Sequence, residues 1–129
     1  MMRRMRPQLA LLVPLALAAC ATTPATDDGI VRTGLNQRIH VEGPYVTPLA
    51  VLEDSRCPSD VQCISAGRLR ISARIELGSG SETRELIQGE PVQLADGTLE
   101  LFEVLPYAKA DEPVAAEDYR FGFTFTGGI

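Results

Sequence analysis

Residues 68–77 read RLRISARIEL, and residues 119–126 read YRFGFTFT. In the first stretch Leu69, Ile71, Ala73, Ile75 and Leu77 alternate with Arg68, Arg70, Ser72, Arg74 and Glu76, so a chain with the two-residue period of an extended strand turns one face to a core and the other to water. In the second, Tyr119, Phe121, Phe123 and Phe125 alternate with Arg120, Gly122, Thr124 and Thr126. A helix of either sequence would scatter its apolar side chains around the cylinder, whereas a strand gathers them. The same habit extends outward in both directions. Short runs at Gln37 to Glu42, Pro48 to Glu53, Glu82 to Gln88, Pro91 to Leu94 and Thr98 to Leu105 predict further strands. Turn signals separate them at Gly43-Pro44, Gly78 to Ser81, Gly89-Glu90-Pro91 and Asp96-Gly97. Half-buried strands joined by short turns, with no helical crossover, predict an all-β domain: an antiparallel β-sandwich of Greek-key or immunoglobulin-like type, or a small barrel. Three of the four phenylalanines lie on the last strand, which is therefore the expected centre of the core.

The whole chain has 129 residues, 45% hydrophobic and 22% charged, with a single histidine and no tryptophan. That is room for one domain. One histidine excludes any mechanism or metal site that needs two.

The N-terminus, MMRRMRPQLALLVPLALAAC, places Arg3, Arg4 and Arg6 before a short apolar stretch from Leu9 to Leu17. This is the pattern of a secretory signal, and the stretch is shorter than the roughly 20 residues of a membrane-spanning helix. The residues after the Arg3-Arg4 pair are not those of a twin-arginine signal, which favours the general secretory route. Leu17-Ala18-Ala19-Cys20 resembles the lipobox of bacterial lipoproteins. The resemblance implies cleavage before Cys20, a diacylglyceryl thioether on its sulfur and an acylated amine. Two or more acyl chains make such an attachment effectively permanent. Ala21, in place of an aspartate that would retain the protein at the inner membrane, points to the outer membrane. Residues 1–19 are then a signal peptide, 20–30 a lipidated tether of small polar residues, and 31–129 the β-domain. Removing 1–19 takes three of the 12 basic residues and none of the 17 acidic ones, so the mature net charge falls to −8. A chain that acidic is a poor partner for nucleic acid, whose binding needs a basic face that releases counterions.

Export to an oxidising compartment gives the remaining cysteines, Cys57 and Cys63, a partner in each other. A redox site calls for C-x-x-C before a helix and a zinc site for more ligands, so a structural disulfide is expected, closing a small ring that fixes the shape of a turn-rich loop. The run Asp54-Ser55-Arg56-Cys57-Pro58, followed by Val61, Cys63, Ala66 and Gly67 and later by Leu105-Pro106-Tyr107, resembles a family of small secreted or lipid-anchored bacterial proteins with a D-S-R-C-P, C, W-A-G signature. Here Ser65 stands where that family carries an aromatic residue. The resemblance implies a β fold with a bridged loop; it implies no activity.

Two sets of residues are candidates for binding. Asp54, Ser55 and Arg56 put an acid, a hydroxyl and a guanidinium on the bridged loop, where they could meet a ligand or could cap the turn and bond to a carboxylate or carbonyl. Arg68, Arg70 and Arg74 share one strand face and could meet an anionic ligand. The alternative is cross-strand pairing with Glu82, Glu85, Glu100 or Glu103. His40 alternates with Ile39 and Val41 and so faces water. No nucleophile motif, H-E-x-x-H motif or phosphate loop is present, and no cofactor is called for. These features lead to the expectation of a non-enzymatic lipoprotein, anchored through its acyl chains and facing the periplasm, that binds an envelope protein or an anionic ligand. The competing expectation is a small hydrolase of envelope or sugar substrates using two carboxylates.

Overall fold

The computed structural model describes residues 10–15, 28–78 and 80–127. Cys20, with the rest of the lipobox, and most of the tether lie outside the described residues. Residues 10–15 form no regular element and leave Leu11, Leu12, Val13 and Leu15 uncovered. Among the described residues no helix is long and apolar enough to cross a membrane.

Eight strands follow in order: β1 (Val31–Thr33), β2 (Ile39–His40), β3 (Tyr45–Asp54), β4 (Leu69–Leu77), β5 (Gly80–Ile87), β6 (Val92–Leu94), β7 (Gly97–Leu105) and β8 (Arg120–Gly127), with one 3-10 turn at Ala116–Asp118 before the last. They build two four-stranded antiparallel sheets, β2-β3-β4-β5 and β1-β8-β7-β6. The all-β sandwich expected from the alternating stretches is the fold. Its connectivity is neither Greek-key nor immunoglobulin-like: strands neighbour each other in chain order around both sheets, and only β1 returns to lie beside β8. Nor is it a closed barrel, because β5 and β6, and likewise β1 and β2, fall in different sheets. The strand β1 has no alternating pattern of its own and was not expected; it forms because Val31 and Thr33 find Phe123 and Phe121 opposite them on β8.

The core is the inward face of each strand. Leu69, Ile71, Ala73 and Ile75 of β4, Val46 of β3 and Leu86 of β5 meet Leu99, Leu101 and Val104 of β7 and Phe121 and Phe123 of β8, all at 1% exposure or less. Truncating either phenylalanine to alanine at such a site costs about 3 to 5 kcal/mol.

Register shifts in β7 and β3 set which charges face out. On β7 the pairing with β8 skips Phe102, so Glu103 stands opposite Gly122 and Val104 opposite Phe121. Strict alternation from Leu99 and Leu101 would have turned Glu103 into the core. The extra residue reverses the parity, leaving Phe102 half exposed while Glu103 accepts a 2.8 Å hydrogen bond from Arg32 Nε. On β3 the pairing with β4 skips Leu49, which turns Val51 inward opposite Ile71, and then skips Leu52, which reverses the parity again, so that Glu53 stands opposite Arg70 on the outer face and Asp54 opposite Leu69 on the inner one.

Candidate functional site

Asp54 is thus delivered to the inner face at one end of the sandwich, where the core gives way to loops. Arg56, two residues on, turns back to grip its carboxylate with both prongs, Nε to Oδ1 at 2.8 Å and Nη2 to Oδ2 at 2.9 Å. The remaining nitrogen, Nη1, donates to the carbonyls of Val104 and Pro106 at 3.1 Å each, at the end of β7 in the opposite sheet. Tyr119, at the foot of β8, donates its hydroxyl to Asp54 Oδ2 at 2.8 Å while its ring lies over Phe121, 5.6 Å between centroids. Asp54, Arg56 and Tyr119 form a clasp that joins the two sheets. The side chains of Asp54 and Arg56 keep only 19% and 12% of their exposure, so solvent screens this pair less than an ordinary surface ion pair. Arg56, with help from the Tyr119 hydroxyl and against the cost of desolvation, holds the Asp54 carboxyl below the usual aspartate range. Burial, reinforced by the Asp54 carboxylate, pushes the Tyr119 phenol up to about 12.

From the clasp the chain enters the bridged loop. Ser55 and Arg68 continue the β3-β4 pairing past the strand ends: the Ser55 amide donates to the Arg68 carbonyl at 2.8 Å, and the Arg68 amide to the Ser55 hydroxyl at 3.0 Å. The Cys57 amide donates to the Ala66 carbonyl at 3.0 Å, and beyond that rung Cys57 and Cys63 form a disulfide with 5.8 Å between their Cα atoms. Gly67 makes the return possible. Its φ is +64°, and a Cβ there would run into the Ser55 carbonyl oxygen. The loop rests on the segment after β7: the Ser59 amide and hydroxyl both donate to the Ala108 carbonyl, at 2.8 and 3.2 Å, and the Ala110 amide donates to Asp60 Oδ1 at 3.0 Å. Between loop and segment lies an open cleft of about 280 Å³ lined by Asp54, Arg56, Pro58, Lys109, Asp111 and Glu112 among others. The loop and the segment it rests on also expose apolar side chains. In the loop Ile64 is fully exposed and Val61 45%, and Tyr107, next to the Ala108 that Ser59 holds, is 68% exposed. Sequence reasoning named the acid, hydroxyl and guanidinium of this loop but missed Tyr119 and the exposed apolar side chains, since nothing local marks a tyrosine 65 residues away as the partner of Asp54.

The arginine face resolves differently. Arg68 and Arg70 both donate to Glu53 Oε2, at 2.6 and 2.9 Å, and Arg70 Nη1 reaches Glu85 Oε1 at 2.6 Å. These two arginines hold the half-buried Glu53 carboxyl below its ordinary range, Arg68 most of all. Of the four acids weighed as partners, Glu85 is one. Glu100 and Glu103 sit on the other sheet, and Glu82 faces the inner side of its own. Glu53 was overlooked because it belongs to the strand that precedes β4, not to one that follows. Arg74, between Thr47 and Thr83 in the register, has no ion pair among the described residues. His40 is exposed and lies 4.9 Å from the Tyr45 ring, whose face Arg38 covers at 3.7 Å. Among the described residues no group of three or more His, Cys, Asp and Glu side chains is placed to share a metal ion.

Comparison of the chain with protein-family models, with curated proteins and with solved structures finds no match in any of the three.

Proposed function

We propose that this chain is a lipoprotein of the bacterial envelope, acylated at Cys20 and held to the outer membrane facing the periplasm, whose sandwich is a non-catalytic binding module that meets an envelope protein through the bridged end. The observation that carries the reading is the exposed trio Val61, Ile64 and Tyr107 around a loop whose shape is fixed four ways, by the disulfide, by the Arg56 clasp, by Gly67 and by the Ser59 bonds to Ala108. Apolar side chains on a rigid frame lose little freedom on binding, which is the economy of a preorganised interface. Anchoring rests on the lipobox sequence, and the resemblance of the D-S-R-C-P segment to small secreted or lipid-anchored proteins agrees with it. Arg74, the unpaired arginine of the outer face, is the place where an anionic ligand would be held in addition.

The cleft lined by Asp54, Asp111 and Glu112 supports a second reading, hydrolysis by a pair of carboxylates. Weighing against it, both oxygens of Asp54 are already engaged and its ionised form is favoured, which suits neither a general acid nor a free nucleophile.

One experiment separates these readings. The full chain, Cys20→Ser, and a Val61→Ser, Ile64→Ser, Tyr107→Ser triple variant are fractionated and used to recover partners from detergent-solubilised envelope. The expected outcome is membrane association that Cys20→Ser abolishes, and partner recovery that the triple variant abolishes while its membrane association and melting temperature are retained. Recovery unchanged by the triple variant would refute the binding end. A single Asp111 or Glu112 substitution that removes the cellular phenotype from a folded, anchored chain would establish the hydrolase instead.

A further inference from the structure

The strand β5 is the edge of its sheet, and at eight residues it is much the longest edge among the described elements, where β1, β2 and β6 run to three or fewer. The Gln88 amide donates to the Leu69 carbonyl at 3.0 Å, in step with the pairs Ile71↔Leu86 and Ala73↔Arg84. Because antiparallel ladders alternate, the backbone groups of Glu82, Arg84 and Leu86 point to β4, and those of Ser81, Thr83 and Glu85 point to the open side. Such a row is a template for another strand. The side chains alternate in the other sense. Glu82 and Arg84 stand opposite the buried Ile75 and Ala73, so both charges face inward at the seam where β5 and β6 part.

Those two charges select the partner. A strand without complementary charges would leave each of them facing an uncharged or like-charged neighbour inside a widened sheet. A second copy of β5, laid antiparallel about a twofold axis through Thr83, puts Glu82 opposite Arg84 of the second copy and Arg84 opposite its Glu82. It also sets Thr83 against Thr83, and Ser81 against Glu85. Twofold pairings centred on Glu82, Arg84 or Glu85 place like charges directly opposite each other, which is destabilising. Pairings centred between two residues set an outward-pointing backbone against an inward-pointing one and make no ladder. Within one chain the Glu82 to Arg84 contact is long, 3.8 Å, between side chains 56% and 39% exposed; Arg84 Nη1 also donates to the Gln93 carbonyl at 3.2 Å, so it is the Nε and Nη2 edge of the guanidinium that meets the carboxylate of the second copy.

The geometry points to a homodimer formed by antiparallel pairing of β5 with β5 around Thr83, joining two four-stranded sheets into one of eight. The interface is isologous. It gains about six backbone hydrogen bonds, two from each facing pair, but it buries less than the roughly 1,000 Å² of a stable interface, so it fills at high local concentration. This pairing uses the β5 edge and none of the loop residues 55–67, and it does not depend on what that loop binds.

The test is cross-linking of the full chain in the envelope of cells that express it. Thr83→Cys, Ser81→Cys and Glu85→Cys are treated with a bismaleimide too short to span about 14 Å, with Cys57 and Cys63 checked by non-reducing peptide mapping to remain bridged. Across the axis the Thr83 Cα atoms are about 5.5 Å apart, whereas Ser81 and Glu85 each lie four residues from their own copies, about 14 Å. Thr83→Cys should cross-link at least tenfold more than either control. Adding Arg84→Glu should cut that yield at least fivefold, and adding Glu82→Arg together with Arg84→Glu should restore it. Equal yields at the three positions, or a yield indifferent to charge reversal, would overturn the dimer. Sedimentation equilibrium of the purified unsubstituted chain in detergent, at concentrations approaching millimolar, gives a check free of any introduced thiol: a dimer that Arg84→Glu dissociates supports the pairing, and a monomer throughout refutes it.

Discussion

Replacing Asp54 with asparagine removes one charge from the clasp and keeps its shape, so what is lost can be worked from the contacts. The carboxylate accepts two charge-assisted bonds from Arg56 and one from the Tyr119 hydroxyl, all at 2.8 or 2.9 Å. An asparagine retains one acceptor and turns an NH2 toward a donor. Arg56 keeps its bonds to the Val104 and Pro106 carbonyls but becomes an uncompensated cation with 12% side-chain exposure. Removing one partner from a fully buried pair costs about 3 to 5 kcal/mol. The remaining solvent access at this end of the sandwich reduces that to about 2 to 3 kcal/mol, since exposed pairs contribute about 0 to 1. For a domain of this size the melting temperature should fall on the order of 10 to 20 °C, at about 4 to 8 °C per kcal/mol. Tyr119→Phe, which loses one bond, should cost about 1 to 2 kcal/mol, and the double variant should cost less than the two singles added, because the residues share the same oxygen. Denaturant unfolding followed by circular dichroism measures all three. The pH dependence carries a sign. The folded pKa of Asp54 is depressed, so its contribution is complete at neutral pH and disappears as pH falls through that depressed value. Asp54→Asn and the parent chain should therefore begin to converge in stability as pH falls below about 4, the unfolded value, and meet only below the depressed folded one. A loss under about 0.5 kcal/mol for Asp54→Asn at pH 7, or a gap that persists unchanged at acid pH, would refute the clasp as the joint between the sheets.

Three further outcomes are expected. Gly67→Ala should destabilise the chain by more than about 1 kcal/mol, because φ of +64° strains any other residue and the new Cβ meets the Ser55 carbonyl; unchanged urea midpoints would contradict this. The phenol of Tyr119, raised to about 12, should appear as the last step of a 295 nm absorbance titration and vanish in Tyr119→Phe; since its folded pKa lies above the unfolded one near 10, its stabilisation holds below pH 10 and is lost as pH rises toward 12. Cys57→Ser with Cys63→Ser should lower stability by about 2 kcal/mol on the chain-entropy account of a small ring, and hydrogen exchange should quicken between residues 57 and 66 while the amides of β4 and β8 stay protected.

The alternation in residues 68–77 and 119–126 was enough to place β4 and β8, their inward faces and the aromatic centre of the core, because the two-residue period of a strand is a property of the backbone alone. The disulfide, too, was legible from cysteine count and spacing. Tertiary structure decided where that period breaks. Nothing in Leu101-Phe102-Glu103-Val104 announces that Phe102 is skipped, since the skip is set by which pairing with β8 keeps Val104 in the core and frees Glu103 for Arg32. The same holds at Leu52, whose bulge sends Glu53 out to Arg68 and Arg70 and Asp54 in to Tyr119. Local sequence specifies that an acid, a hydroxyl and a guanidinium share a loop. That the acid and the guanidinium bond to each other, and through Tyr119 and the Val104 carbonyl to the opposite sheet, depends on side chains up to 65 residues apart being packed within 3 Å, and only the closed sandwich brings them there.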